Sequence, residues 1–126
     1  MSNGTVSVEI VGGGGPVTVG WTDGMNVQQA LEAAHDVSPG LTFGLEYFGS
    51  HGYLVQMING TYETFLPSGG PSYYWELFVN GTSARQGIDC TILNDGDAVV
   101  FEYVLFVPDT HEGTMLAVKH ESRTQR

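Results

Sequence analysis

The sequence predicts an α+β domain in which a mixed sheet packs on a single helix. Three observations carry that expectation. The stretch Pro71-Ser72-Tyr73-Tyr74-Trp75-Glu76-Leu77-Phe78-Val79-Asn80-Gly81 reads as a long strand of aromatic and β-branched residues, closed by the hairpin signal Asn-Gly. Around residues 26–36, Val27, Ala30, Leu31 and Ala34 recur at helical intervals and form one narrow apolar stripe. The order of elements is a hairpin, then that helix, then strands.

Taken in order, Thr5 to Val11 alternates as a strand, Gly12 to Gly15 is a turn, and Pro16 to Trp21 is a second alternating strand. The glycines are not a phosphate loop, because no Lys-Ser/Thr pair and no helix follows them. Asn26 with Gln29 three residues on has capping-box spacing, and Ser38-Pro39-Gly40 ends the helix. His35 falls in the last turn, where a cation complements the helix dipole. Leu41 to Phe48 is the third strand, with Leu41, Phe43, Leu45 and Tyr47 on one face and Thr42, Gly44, Glu46 and Phe48 on the other. The turn Gly49-Ser50-His51-Gly52 leads into a strand from Tyr53 to Ile58, closed by Asn59-Gly60. A looser segment, Thr61 to Gly70, precedes the long central strand. Beyond Asn80-Gly81 the chain passes through Arg85-Gln86-Gly87 to a short strand, Cys90 to Leu93, in which Cys90 is expected to be a small buried residue. Asn94-Asp95-Gly96-Asp97 is a turn into the last strand, Ala98 to Val107. Residues 1–107 thus form the domain. Residues 108–126 form a tail whose apolar patch, Met115-Leu116-Ala117-Val118, is expected to dock on the sheet or on a partner subunit, making a homodimer.

A chain of 126 residues and 13.6 kDa can bury a core without staples. Its formal charge is −10, and the basic residues are Arg85, Lys119, Arg123 and Arg126, so Met1 to Val118 hold one positive charge against thirteen negative. Such a surface repels phosphate backbones and anionic bilayers, which excludes nucleic acid and membranes as expected partners. Cys90 stands alone, which rules out an internal disulfide and a Cys-x-x-Cys site. His35, His51, His111 and His120 lack the spacing of a zinc site, and Asp95-x-Asp97 lacks the further ligands of a calcium loop. No metal and no cofactor is expected. The opening Met1-Ser2-Asn3-Gly4 shows no signal-peptide pattern and no apolar run reaches membrane-spanning length. As written, the chain is expected to be soluble and cytoplasmic, or secreted if a signal peptide has been removed.

The local wording resembles a known family. Gly24-x-x-Val27-x-x-Ala30-Leu31 opens the helix, and Ser50-His51-Gly52-Tyr53 precedes Ile58-Asn59-Gly60. Tyr74-Trp75, Asn80-Gly81, Gly87, Leu93-x-Asp95-Gly96-Asp97 and Phe101-x-Tyr103 follow in order. Together these resemble the carboxy-terminal β-domain of transcobalamin and intrinsic factor and its bacterial transcobalamin-like relatives, over roughly residues 5 to 104. The resemblance implies a β-grasp-like fold, a mixed sheet curled around one helix, and small-molecule binding. In the vitamin carriers this domain clamps cobalamin against a large helical domain, with a Trp in the Ser-x-Gly turn that faces the ligand. This chain has His51 in that turn, and Glu76 where a neutral residue usually follows Tyr-Trp.

Strand phase supplies the candidate chemistry. If Trp75 and Leu77 face the helix, then Tyr74, Glu76 and Phe78 lie on the opposite face, and Glu46 and Glu102 are expected there too. Three readings stay open. The first is a stand-alone small-molecule binding domain using Tyr74, Phe78, Phe48, His51, Tyr53 and Glu102. The second is a cofactor-free isomerase, cyclase or lyase with Glu76, His51 and Glu46 as acid–base groups. The third is a protein-interaction module built on exposed aromatics.

Overall fold

The computed structural model describes residues 4–13, 15–47, 49, 52–64, 73–84 and 86–105. Phe48, His51 and the tail from residue 106 lie outside the described residues, and with them the expected docking of the tail. The elements are β1 (Gly4–Ile10), β2 (Val17–Trp21), α1 (Val27–Val37), β3 (Phe43–Tyr47), β4 (Tyr53–Ile58), β5 (Thr61–Tyr62), β6 (Tyr73–Val79), β7 (Thr82–Ser83) and β8 (Ala98–Leu105).

Five strands form a mixed sheet in the order β2-β1-β8-β6-β7, in which β1 and β8 run parallel and the other pairs antiparallel. A second sheet has the order β3-β4-β5. The bridge between Thr64 and Tyr73, with both backbone bonds at 2.9 Å, ties the second sheet to the first. The α+β expectation, a mixed sheet on one helix, is therefore what the chain forms.

The core follows from strand alternation. Val6, Val8 and Ile10 of β1, Trp75 and Leu77 of β6, and Val99 and Phe101 of β8 all point to one side of the sheet. There they meet Val27, Ala30, Leu31 and Ala34 of α1 and Leu54, Val55 and Ile58 of β4. Burying a side chain such as Leu31 contributes about 1.5–3 kcal/mol. The expected helix packing through Leu31, with Trp75 buried, is met.

The turns obey their residues. Asn59 and Asn80 have φ near +52° and +53°, and the glycines after them have φ near +84° and +83°. Both hairpins thus carry the two successive positive φ values that Asn-Gly tolerates best. Asn26 caps α1 as its spacing predicts: its Oδ1 accepts from Gln29 N at 2.8 Å, and the Gln29 side chain accepts from Asn26 N at 2.9 Å. His35 lies in the last turn of α1, as its spacing predicts, and its Nδ1–H donates to Leu41 O at 2.6 Å, which pins the chain after the helix.

Two expectations are corrected. The segment from Thr61 to Gly70 does not begin loose, because β5 pairs with β4 and Thr64 with Tyr73, while residues 65–70 lie outside the described residues. Cys90 lies in a turn and is exposed, rather than buried in a strand. The 87–92 segment is claimed by α1 instead: Ile88 O and Thr91 O accept from Gln28 N and Val27 N, each at 3.0 Å. Helix-start N–H groups have no partner within the helix, and these carbonyls supply it.

Candidate functional site

The β6–β8 register sets Glu76 directly opposite Glu102, Tyr74 opposite Val104, and Phe78 opposite Val100. Parallel pairing then brings Glu9 of β1 beside Val100. All of these lie on the side of the sheet away from α1, as strand phase predicts. Openness does not follow: Tyr74 is 0 % and Glu76 3 % exposed, while Phe78 and Glu102 are half-buried. Glu46 does not join them. It lies in β3, opposite Leu54, in the other sheet. The three glutamates expected on one face are two plus an outlier, because β3 pairs with β4 and not with β6 or β8.

A buried carboxylate needs donors. The Ser83 hydroxyl donates to Glu76 Oε2, and the Tyr74 hydroxyl hydrogen-bonds the same carboxylate. Burial first, and then the Glu76 charge, hold the Tyr74 phenol protonated far above the ordinary tyrosine value, with Glu63 and Glu102 adding to the effect. Ser83 was absent from the sequence reading, although a two-residue turn at Asn80-Gly81 already implies the pairing of Phe78 with Ser83. Glu63 was also missed. Its Oε2 accepts from Trp75 N at 2.9 Å, and Trp75 Nε1 donates to Thr61 O at 2.9 Å. No periodic signal marks Glu63, since it acts where two sheets meet irregularly.

The second part of the site is the turn before β4. Gly52 is buried with φ near +83°, and a Cβ there would run into Asp89 Oδ1 and come within 3.0 Å of Cys90 Sγ. Asp89 Oδ1 accepts from Tyr53 N at 2.8 Å, and Ile88 N donates to Tyr53 O at 2.8 Å. The end of the 49–52 turn is therefore clamped onto Asp89 and Cys90. Loss of solvent around Sγ, then the charge and hydrogen bond of Asp89, push the Cys90 thiol above its ordinary range. Beside this turn Tyr53 and Tyr47 sit opposite each other, with ring centroids 5.0 Å apart and both rings exposed.

An open groove of about 510 Å³ lies between the β6–β7 hairpin and the 87–92 segment. Its walls include Val79, Thr82 and Ser83 from the β6–β7 hairpin, and Cys90, Thr91 and Ile92 from the segment that caps α1. Ser83, the donor to Glu76, stands on one wall; Cys90, the neighbour of Gly52, stands on the other. A smaller hollow of about 280 Å³ lies between the β1–β2 hairpin, Leu41 and Asn59. Among the described residues, no three His, Cys, Asp or Glu side chains are placed to hold a metal ion. No helix among them is long and apolar enough to cross a membrane. Asp95 and Asp97 are occupied by the fold, accepting from Thr5 N at 2.9 Å and from Asn94 N at 2.8 Å.

Comparisons with known proteins agree with this architecture. The chain is similar in structure to haptocorrin crystallised in complex with Cbi, with a TM-score of 0.71 and 18% identity over 84% of this chain. That match spans 26% of the haptocorrin chain. It is also similar to a Ruminococcus gnavus ATCC 29149 protein named as a candidate metal binder, with a TM-score of 0.53 and 18% identity, covering 85% of this chain and 100% of that one. At such identities the likeness is one of fold, and it supports the transcobalamin-like architecture. No curated protein matches the chain. The family model for the domain of unknown function DUF4430 matches residues 24–104, from the turn before α1 to the end of β8, and the chain belongs to that family.

Proposed function

We propose that the domain binds a small organic molecule in the groove between the β6–β7 hairpin and the 87–92 segment, where Cys90, the neighbour of Gly52, forms part of the wall. The observation that carries this reading is the groove itself. At about 510 Å³ it falls within the ~300–1,000 Å³ range of small-molecule sites. It is apolar through Val79 and Ile92 and polar through Thr82, Ser83 and Thr91. That mixture suits a ligand with a flat apolar part and one or two hydrogen-bonding groups. Glu76 stands behind Ser83 and fixes the direction of its hydroxyl, so the wall is preorganised. The haptocorrin likeness supports the reading, because a quarter of a chain crystallised with Cbi has this fold.

Native mass spectrometry of protein purified from its own host tests the proposal. A retained small molecule is expected, and Ile92→Arg, which changes an exposed wall residue, is expected to abolish it without moving the melting temperature. A mass that equals the bare chain, together with no thermal shift across a metabolite library, would sink it. His51→Ala is expected to weaken ligand binding tenfold or more, about 1.4 kcal/mol.

One observation favours a second reading, a protein-interaction module. Tyr47 and Tyr62 are 64% and 58% exposed on the second sheet, and exposed tyrosines suit interfaces. A partner retained on native purification and lost on Tyr47→Ser would favour this reading over the ligand.

A further inference from the structure

We infer that the carboxy-terminal residues 106–126 of this same chain dock on the sheet face away from α1, with Lys119 beside Glu102 and Glu9. The inference goes beyond the ligand reading, and its test needs no ligand.

Charge is the first argument. Residues 1–118 hold thirteen of the fourteen carboxylates against a single basic residue, Arg85. Three of the four cations, Lys119, Arg123 and Arg126, fall in the last eight residues. On the face away from α1, Glu9 and Glu102 stand on adjacent parallel strands, and Glu76 lies directly across from Glu102. Like charges directly opposite on neighbouring strands are unfavourable, and a cation between them reverses the sign.

Burial is the second. On this face Tyr74 and Glu76 are buried and Phe78, Val100, Glu102 and Val104 half-buried, although α1 packs on the other side of the sheet. Its apolar positions, Val100 and Val104 on β8 and Phe78 on β6, make a surface that Met115-Leu116-Ala117-Val118 matches in character.

Reach is the third. The chain leaves β8 at Leu105, beside Tyr73, at one end of the sheet. Running back along β8 to Ala98 covers about 23 Å at ~3.3 Å per residue. Met115 follows Leu105 by ten residues and Lys119 by fourteen, so both reach any point on this face.

Lys119 is the sole lysine, which makes carbodiimide cross-linking of the full chain decisive. Zero-length coupling joins its amine to whichever carboxylate it pairs with, and peptide mass spectrometry reads the site. The expected products are Lys119–Glu102 and Lys119–Glu9, formed within one chain, with severalfold lower yield in 1 M salt, where the screening length is only ~3 Å. Mixing ¹⁴N- and ¹⁵N-labelled protein separates linkage within one chain from linkage between two. Products between labels would assign the face to a second copy and overturn the inference. Links spread over Asp23, Glu32 and Asp36, or the absence of links to Glu9 and Glu102, would overturn it too. A chain ending at Val107 supplies a second readout. Loss of backbone hydrogen-exchange protection in β6 and β8 is expected, and unchanged protection there contradicts the docking.

Discussion

The Ser83 hydroxyl donates to the carboxylate of Glu76 across the β6–β7 hairpin, and it is the two-residue turn at Asn80-Gly81 that puts them in reach. The bond links the wall of the groove to the most buried charged side chain described. Ser83→Ala removes a donor to a buried carboxylate and is expected to destabilise the fold by about 1.5–3 kcal/mol. Ser83→Thr keeps the hydroxyl, and β-branched residues suit a strand, so it should stay within about 0.5 kcal/mol. Urea titration of the three proteins checks both values. Equal stability of Ser83→Ala and wild type would remove the bond from the account.

Tyr74 makes the alkaline limb of stability diagnostic. Its hydroxyl stays protonated in the folded chain well above the ordinary value of 10.0, because burial and the Glu76 charge both disfavour a phenolate. The unfolded chain gives up the same proton near pH 10. Above that pH the unfolded state binds fewer protons than the folded one, so stability falls as pH rises, by up to about 1.4 kcal/mol per pH unit for this group. Tyr74→Phe is expected to flatten the fall between pH 10 and pH 11 while costing a hydrogen bond at neutral pH. Thermal melts at stepped pH give the comparison, and identical slopes would contradict it.

Much of the fold is legible in the residues because local rules and tertiary packing agree. Asn26 with Gln29 announces the helix start, the two Asn-Gly pairs announce hairpins, and the alternation of Trp75 and Leu77 against Tyr74 and Glu76 assigns the faces. The site is only half legible. Strand phase puts Glu76 and Glu102 on one side, but it cannot show that β3 pairs elsewhere and takes Glu46 away. Nor does it reveal that the segment around Cys90 serves as caps for α1, since those bonds come from backbone carbonyls, which carry no residue signature.

The exposed thiol of Cys90 should react more slowly than its exposure suggests. Thiolate is the nucleophile, and the surroundings of Sγ, with Asp89 alongside, raise the thiol above its usual value. Alkylation by iodoacetamide at pH 7.5 is expected to be slower than that of a free cysteine peptide and to accelerate as pH rises past 9. Asp89→Asn removes the charge yet leaves an oxygen for Tyr53 N, so severalfold faster labelling with an unchanged melting temperature is the expected outcome. Labelling at the peptide's rate in the wild type would show that Asp89 exerts no hold on the thiol.

Gly52 and Gly60 offer a matched pair for the clamp behind the 49–52 turn. Both have φ near +83° or +84°, so a side chain at either pays the same left-handed penalty of roughly 1–2 kcal/mol. Their surroundings differ. A Cβ at Gly60 meets nothing within 4 Å, whereas a Cβ at Gly52 collides with Asp89 Oδ1 and approaches Cys90 Sγ to 3.0 Å. Asp89 can swing aside only by surrendering its bond to Tyr53 N, which adds about 1.5–3 kcal/mol. Gly52→Ala is therefore expected to cost at least twice what Gly60→Ala costs in urea titrations. It should also speed Cys90 alkylation, because the displaced Asp89 no longer holds the thiol. Equal costs for the two substitutions would mean that the turn and the 87–92 segment are not packed as a unit, and that Gly52 gives no support to the groove wall at Cys90.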